Sequence, residues 1–277
     1  MSDLNLQIEQ HYSKKGLFEA ILNRLKQNGI DLESVERAHI AGVDEFHVRG
    51  AAVSRELAQQ IDLRGLEVLD VGCGLGGACR MLSDEFDCNT TGVDLSTAYV
   101  QTANALSKLV KLDHKTRFFV AEATNLPFPD ASFDVVWTQH VQMNVPDKEM
   151  FYTEIKRVLK PSGFFLYYDI FKKNDKKVEY PMPWASTSEY SFLFRKNDME
   201  LILTNLGFEK ISTVDQTEAG ISFFEGLIPN IKNIGNQKVS LNILMGETTQ
   251  PKLLNLMQHL KNESLMLESG VYKIRIF

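Results

Sequence analysis

Residues 67–77, EVLDVGCGLGG, decide how this chain is read. Residues 67–71 are extended and mostly apolar with an acidic end at Asp70, and a run of glycines follows before a helix-forming segment. Glycine permits backbone angles closed to other residues and lets a ligand approach the main chain. The helix that starts there offers unpaired N–H groups and a partial positive charge. A strand, glycine loop and helix in this order make a cradle for a nucleotide or a small anion.

The neighbouring acids narrow the ligand. A dinucleotide loop carries GxGxxG with pyrophosphate over the helix N-terminus. Here the glycines fall at 72, 74, 76 and 77, and Asp70 stands two residues before the first. A carboxylate there repels pyrophosphate and suits a cation, such as the ammonium of an amino acid. Residues 90–96, TTGVDLS, then read as a second short strand ending at Asp94. An acid at that strand end is placed to accept both hydroxyls of a ribose. Residues 118–133, FFVAEATNLPFPDASF, put Glu122 after a third apolar run and then break into a proline-rich loop. Bland readings stay open: a tight turn for Gly72 and Gly74, a helix cap for Asp94, a solvated acid for Glu122.

Around these motifs the periodicity predicts alternating elements. Helices are expected at 76–85, 97–110 and 147–159, and strands at 67–71, 90–94, 117–121, 134–138 and 163–169. Beyond them come a helix at 199–206 stopped by Gly207, a strand at 209–214, a helix at 252–260 and a closing strand at 271–277. This alternation implies an α/β fold, a mostly parallel sheet covered by helices on both faces. Upstream, residues 5–28 show helical spacing at Leu17, Ile21, Leu22 and Leu25, and a second helix carries Ala51, Ala52, Leu57 and Ile61. Residues 1–60 therefore read as a helical N-terminal cap, residues 61–277 as the main domain, and 215–250 as an insert within it. His11 and Tyr12 would belong to a first helix able to act as a lid.

Composition bounds the function. With 277 residues, 44% of them hydrophobic, the chain can bury a full core. No run of eighteen apolar residues suggests a membrane span, and the polar N-terminus MSDLNLQIEQHY lacks a signal-peptide order. Cys73, Cys79 and Cys88 cannot all pair and match no zinc spacing, so reduced thiols in a cytoplasmic protein without a metal are expected. A net charge of −6 argues against general nucleic-acid binding. The basic run KKNDKK at 172–177 reads as a solvated turn.

Four motifs in order resemble the class I S-adenosylmethionine-dependent methyltransferases with a Rossmann-like fold: DVGCGLG at 70–76, GVDLS at 92–96, Glu122-Ala123 ahead of LPF and SFD, and EIKRVLKPSGF at 154–164. The resemblance spans residues 61–171. It implies a seven-stranded sheet whose last strand runs antiparallel beside the fifth. It further implies S-adenosylmethionine as methyl donor, S-adenosylhomocysteine as product, and cofactor contacts from Asp70, Gly72, Cys73, Gly74, Gly76, Asp94, Leu95, Glu122, Ala123 and Gln139. The family usually has Asp where this chain has Glu122.

The acceptor belongs at the carboxyl ends of the strands. Candidate contacts there are His140, Met143, Asn144, Tyr168 and Trp184, the two aromatic residues being suited to surround a methylammonium group. If the acceptor must lose a proton, His140 is the first candidate base and His47 the second, each with a purely structural role as the alternative. The segment DEFHVRGAA at 44–52, with Trp137-Thr138-Gln139 and Pro146-Asp147-Lys148, resembles sarcosine/dimethylglycine N-methyltransferases. LPFPDASFDVV at 126–136 resembles C-methyltransferases of quinone biosynthesis. The expected partner is a small-molecule acceptor, as an amine or as a site for C- or O-methylation, with a homodimer left open. A nicotinamide dehydrogenase, a non-catalytic cofactor-binding module and an RNA or protein methyltransferase are the competing readings.

Overall fold

The computed structural model describes residues 16–230, 243 and 248–275. Seven strands form one sheet in the order β3-β2-β1-β4-β5-β7-β6. Their ranges are β1 Glu67–Val71, β2 Asn89–Asp94, β3 Thr116–Val120, β4 Phe133–Gln139, β5 Leu159–Lys172, β6 Phe208–Asp215 and β7 Leu265–Ile274. Strands β1 to β5 pair in parallel, and β7 lies antiparallel between β5 and β6. The order reverses beside β1, which has β2 on one side and β4 on the other. A crevice therefore opens there beyond the carboxyl ends of the strands.

A parallel strand in mid-sheet is buried on both faces, which is why β1, β4 and β5 read as nearly continuous apolar runs. Their residues alternate between two cores. One gathers Val68, Val135, Trp137, Leu166 and Tyr168. It is covered by α3 (Ala51–Ala58), α8 (Thr217–Leu227) and α9 (Thr249–Lys261). The other gathers Leu69, Val71, Val136, Phe165 and Tyr167 under α6 (Lys148–Val158) and α7 (Lys196–Asn205). The two remaining sheet helices, α4 (Gly77–Glu85) and α5 (Thr97–Leu109), follow β1 and β2.

The helices α1 (Leu17–Gln27) and α2 (Arg37–Asp44) form a third core. Leu17, Ile21, Leu25, Ile40 and Val43 pack on Leu75, Tyr99 and Leu106, so these helices sit directly on the glycine loop and α5. Helix α2 was not legible in the sequence, and α3 stops at Ala58, leaving Ile61 in the following turn. His11 and Tyr12 lie outside the described residues, as does most of 231–247. The closing strand begins at Leu265, six residues before the expected start at 271. Glu268, Ser269 and Gly270 interrupt its apolar alternation, yet β7 pairs along its length with β5. Glu268 is accommodated inside by the Tyr167 hydroxyl, which donates to it at 2.6 Å, and by Lys196.

Candidate active site

A cavity of about 330 Å³ lies at the carboxyl ends of β1, β2, β3 and β4, beneath α2 and the loop after it. That volume is within the range of small-ligand sites. The backbone turns at Gly72, Gly74 and Gly76 all have positive φ, which a side chain would strain. Gly77 is required for a different reason: a Cβ there would lie 1.8 Å from the Asp44 carbonyl oxygen. The end of α2 thus rests against the start of α4.

Two carboxylates flank the loop. Asp70 is 3% exposed, and its nearest polar contact is the Cys79 thiol, which donates to Oδ2 at 3.5 Å. Burial pushes its carboxyl up to about 7, as expected for an acid with no cation beside it. Asp94 accepts the Gly74 N–H at 2.9 Å on one oxygen and the Ser96 N–H at 2.8 Å on the other. Burial raises its carboxyl, and these N–H groups oppose the rise. The cap of α5 is Ser96, whose Oγ accepts the Tyr99 N–H at 3.3 Å. Asp94 is left facing the cavity, and a carboxylate with about four acceptor sites keeps capacity for a ligand hydroxyl beyond the bonds from Gly74, Ser96 and Leu95.

Of the residues expected at a cofactor, Asp70, Gly72, Cys73, Gly74, Asp94, Leu95, Glu122, Ala123 and Gln139 all line this cavity. Gly76 does not; it shapes the turn, and a Cβ on it would strike the Phe118 ring at 2.5 Å. Gln139 accepts the Trp137 indole N–H at 2.9 Å and donates to the Ser54 hydroxyl at 3.0 Å, tying β4 to the cap.

Of the residues expected at an acceptor, His140 and Asn144 line the cavity, and Met143, Tyr168 and Trp184 do not. These three are 1%, 0% and 3% exposed and belong to the core. The Trp184 indole N–H is spent on Ser191 Oγ at 2.8 Å. The Tyr168 ring is covered by His140 at 4.8 Å and by His47 edge-on at 5.9 Å. Tyr and Trp pair an apolar face with a polar handle, which is why the sequence suggested these rings; packing places both in the core.

His140 sits at φ +53 and its backbone N–H donates to the Tyr168 carbonyl at 2.8 Å. Its Nε2 is buried and has no hydrogen-bond partner among the described residues. Burial, with His47 nearby, holds this imidazole well below its ordinary value and therefore neutral. The loop after it is stitched in place by Lys148. That ammonium donates to the carbonyls of Gln142 at 2.6 Å and Phe192 at 2.8 Å, and to that of Val145. Burial lowers Lys148 to about 8 and raises Asp169, which accepts the Ile170 N–H at 2.9 Å and the Gln142 N–H at 3.3 Å, to about 7.

His47 lines the cavity from the cap, with its ring 5.9 Å from that of His140. Its Nε2 lies 2.9 Å from Glu45 Oε2, and the Ser54 hydroxyl donates to the same carboxylate oxygen at 2.5 Å. Burial works to raise the Glu45 carboxyl, but the bonds from His47 and Ser54 outweigh it and hold it low. The sequence reading missed Glu45 and Ser54, which lie behind His47, and Phe46 and Tyr99, which line the cavity. Only the acid two residues before His47 was available as a signal. Among the described residues, no group of three His, Cys, Asp or Glu side chains could hold a metal ion. None of their helices is long and apolar enough to cross a membrane.

Comparison with known proteins adds four findings. Residues 69–167 match the family model described as a methyltransferase domain. The chain is 40% identical over 114 residues to the 2-methyl-6-phytyl-1,4-hydroquinone methyltransferase of Synechocystis, covering 41% of this chain and 35% of that one. It is 30% identical over 217 residues to the chloroplastic tocopherol O-methyltransferase of Arabidopsis thaliana, covering 70% and 62%. The matched region thus spans less than two thirds of either relative. Among solved structures, phosphoethanolamine N-methyltransferase 2 of Haemonchus contortus, bound to phosphomonomethylethanolamine and S-adenosylhomocysteine, shares the fold. Its TM-score is 0.74 at 19% identity, over 94% of this chain and 58% of that one.

Proposed function

We propose that this chain, whose residues 69–167 belong to the class I S-adenosylmethionine-dependent methyltransferase domains, moves a methyl group from S-adenosylmethionine to a small-molecule acceptor. The observation that carries the reading is the pair Asp70 and Asp94 on either side of the glycine loop at the sheet's switch point. Asp70, buried without a cation, suits the ammonium of the methionine part. Asp94, with lone pairs left over, suits the ribose hydroxyls. Leu95, Tyr99, Glu122 and Ala123 supply the adenine wall. A pyrophosphate would meet the Asp70 charge, which counts against a nicotinamide cofactor.

When bound, the sulfonium supplies a methyl carbon already activated for displacement. The protein's part is to align the acceptor and exclude water. Helix α2 and residues 44–47 roof the cavity, and Gln139, His140 and Asn144 close it from the β4 end. The loop bearing His140 is held rigid by Lys148 and Asp169, so the acceptor meets fixed dipoles. The cytoplasm is the proposed location.

The test is incubation of purified protein with S-adenosylmethionine labelled in its methyl group and a panel of phenols, sarcosine and dimethylglycine, read as S-adenosylhomocysteine release and labelled product. Acceptor-dependent release that Asp94→Ala weakens is expected. Release from no acceptor by folded protein contradicts the proposal.

A further inference from the structure

The segment that follows β4 supplies His140, Val141, Asn144, Val145, Pro146 and Asp147 to the acceptor end of the cavity. A single 3-10 turn, Gln142–Asn144, is its only regular structure. Its backbone groups must therefore find partners behind it. They find them on residues 184–192, which do not line the cavity. The Phe192 N–H donates to the Met143 carbonyl at 2.7 Å. Asn144 Nδ2 donates to the carbonyls of Trp184 and Tyr190, each at 3.1 Å. Lys148 joins the two segments through one ammonium. It bonds the Gln142 and Val145 carbonyls on the loop and the Phe192 carbonyl behind it. Three acceptors match the three N–H groups of an ammonium, and at 7% exposure water does not replace them.

Residues 184–192 are anchored in turn. Trp184 and Ala185 are buried in the core shared with α9. The Trp184 indole N–H donates to Ser191 Oγ at 2.8 Å, closing the exposed turn 186–189. Just upstream, Asn255 of α9 donates to the Pro181 carbonyl at 2.9 Å. Just downstream, the Lys172 N–H at the end of β5 donates to the Phe194 carbonyl at 2.9 Å. The segment is tied to β5 and α9 on one side and to the cavity loop on the other.

We propose that residues 184–192 are a brace for methyl transfer, with Lys148 and Ser191 as positioning residues that align the acceptor through the 140–147 loop. The inference rests on the methyl-transfer reading above. Neither Lys148 nor Ser191 lines the cavity, so each acts only through the loop. A displacement of about 1 Å at the reacting atoms costs up to roughly a hundredfold in rate. Asp70 and Asp94 stand on β1 and β2, with Cys79, Gly74 and Ser96 as their partners. Loosening the brace therefore moves the acceptor wall and leaves the cofactor end in place.

The experiment compares wild type, Lys148→Met and Ser191→Ala well below the melting temperature of all three. Calorimetry with S-adenosylhomocysteine counts intact sites, and labelled-methyl turnover of phenols, sarcosine and dimethylglycine is expressed per intact site. Lys148→Met should keep full stoichiometry, with S-adenosylhomocysteine affinity and acceptor KM within about threefold, while kcat falls at least roughly tenfold. Ser191→Ala should lower kcat by roughly three- to fivefold through the lost Trp184 bond. Loss of structure alone would lower the stoichiometry and leave the rate per site unchanged. An unchanged per-site kcat in Lys148→Met, or in Ser191→Ala should Lys148→Met fail to fold, overturns the inference. So does a loss of S-adenosylhomocysteine affinity as large as the loss of kcat. Wild type that binds no S-adenosylhomocysteine, or turns over none of these acceptors, removes the methyl-transfer reading itself, and this inference with it.

Discussion

Replacing Arg80 by Met probes the joint between the cap and the glycine loop. Arg80 projects from α4, is 0% exposed, and donates to Asp44 Oδ1 at 2.6 Å and to the Leu75 carbonyl at 2.7 Å. Those two bonds come from Nη2; Nη1 reaches the Ala103 carbonyl and Ser107 Oγ, each at 3.3 Å. Methionine keeps the apolar stem but strands the Asp44 carboxylate. Breaking a buried pair from one side costs about 3–5 kcal/mol, because the remaining charge is neither solvated nor paired. Asp44 recovers part of that by taking up a proton, since burial already raises its carboxyl. The unmet Leu75 carbonyl adds about 1–3 kcal/mol. A net loss of about 4 kcal/mol lowers the melting temperature of a chain this size by roughly 10 °C. Urea unfolding of wild type, Arg80→Met, Asp44→Asn and the double variant closes a cycle. The double variant should lose less than the sum of the singles by at least about 1 kcal/mol. Additive losses, or a cost below about 1 kcal/mol for Arg80→Met, would refute the clamp.

Two further outcomes follow from the same geometry. Gly77→Ala places a methyl 1.8 Å from the Asp44 carbonyl, so α2 must shift; a loss of about 1–3 kcal/mol is expected in thermal unfolding, and an unchanged melting temperature would deny the close approach. The pH dependence of cofactor binding follows from Asp70, raised by burial to about 7. A cation prefers the ionised carboxylate, so binding lowers its proton affinity and expels a proton. Affinity for S-adenosylmethionine should therefore rise by up to roughly tenfold per pH unit below about 7 and level off above it. Calorimetry near pH 6 in buffers of different ionisation enthalpy reads the released proton; no release would remove Asp70 from the ammonium site.

The sheet was legible because its central strands are buried on both faces and so appear as apolar runs between glycine and proline breaks. Asp70 and Asp94 stood out because each is an acid ending such a run. The cap was harder. Helix α2, RAHIAGVD, buries Ile40 and Val43 with only Asp44 beside them, too few apolar positions to show a helical period. The pairs Arg80–Asp44 and Gln139–Ser54 join residues 36 and 85 positions apart, and nothing local announces them. Tyr168 and Trp184 carry the chemistry expected of an acceptor site but face the core, a distinction only packing makes. In β7, Glu268, Ser269 and Gly270 hid a strand in which the Glu268 carboxylate accepts from Tyr167 and Lys196 and the Ser269 hydroxyl accepts from Gln216.

The most direct test of the account is titration of the folded protein with S-adenosylmethionine and, separately, with NAD. Micromolar binding of S-adenosylmethionine and none of NAD is expected, with Asp94→Ala weakening the former by roughly ten- to a hundredfold through the lost carboxylate hydrogen bonds. Binding of NAD, or no binding of S-adenosylmethionine, would contradict it.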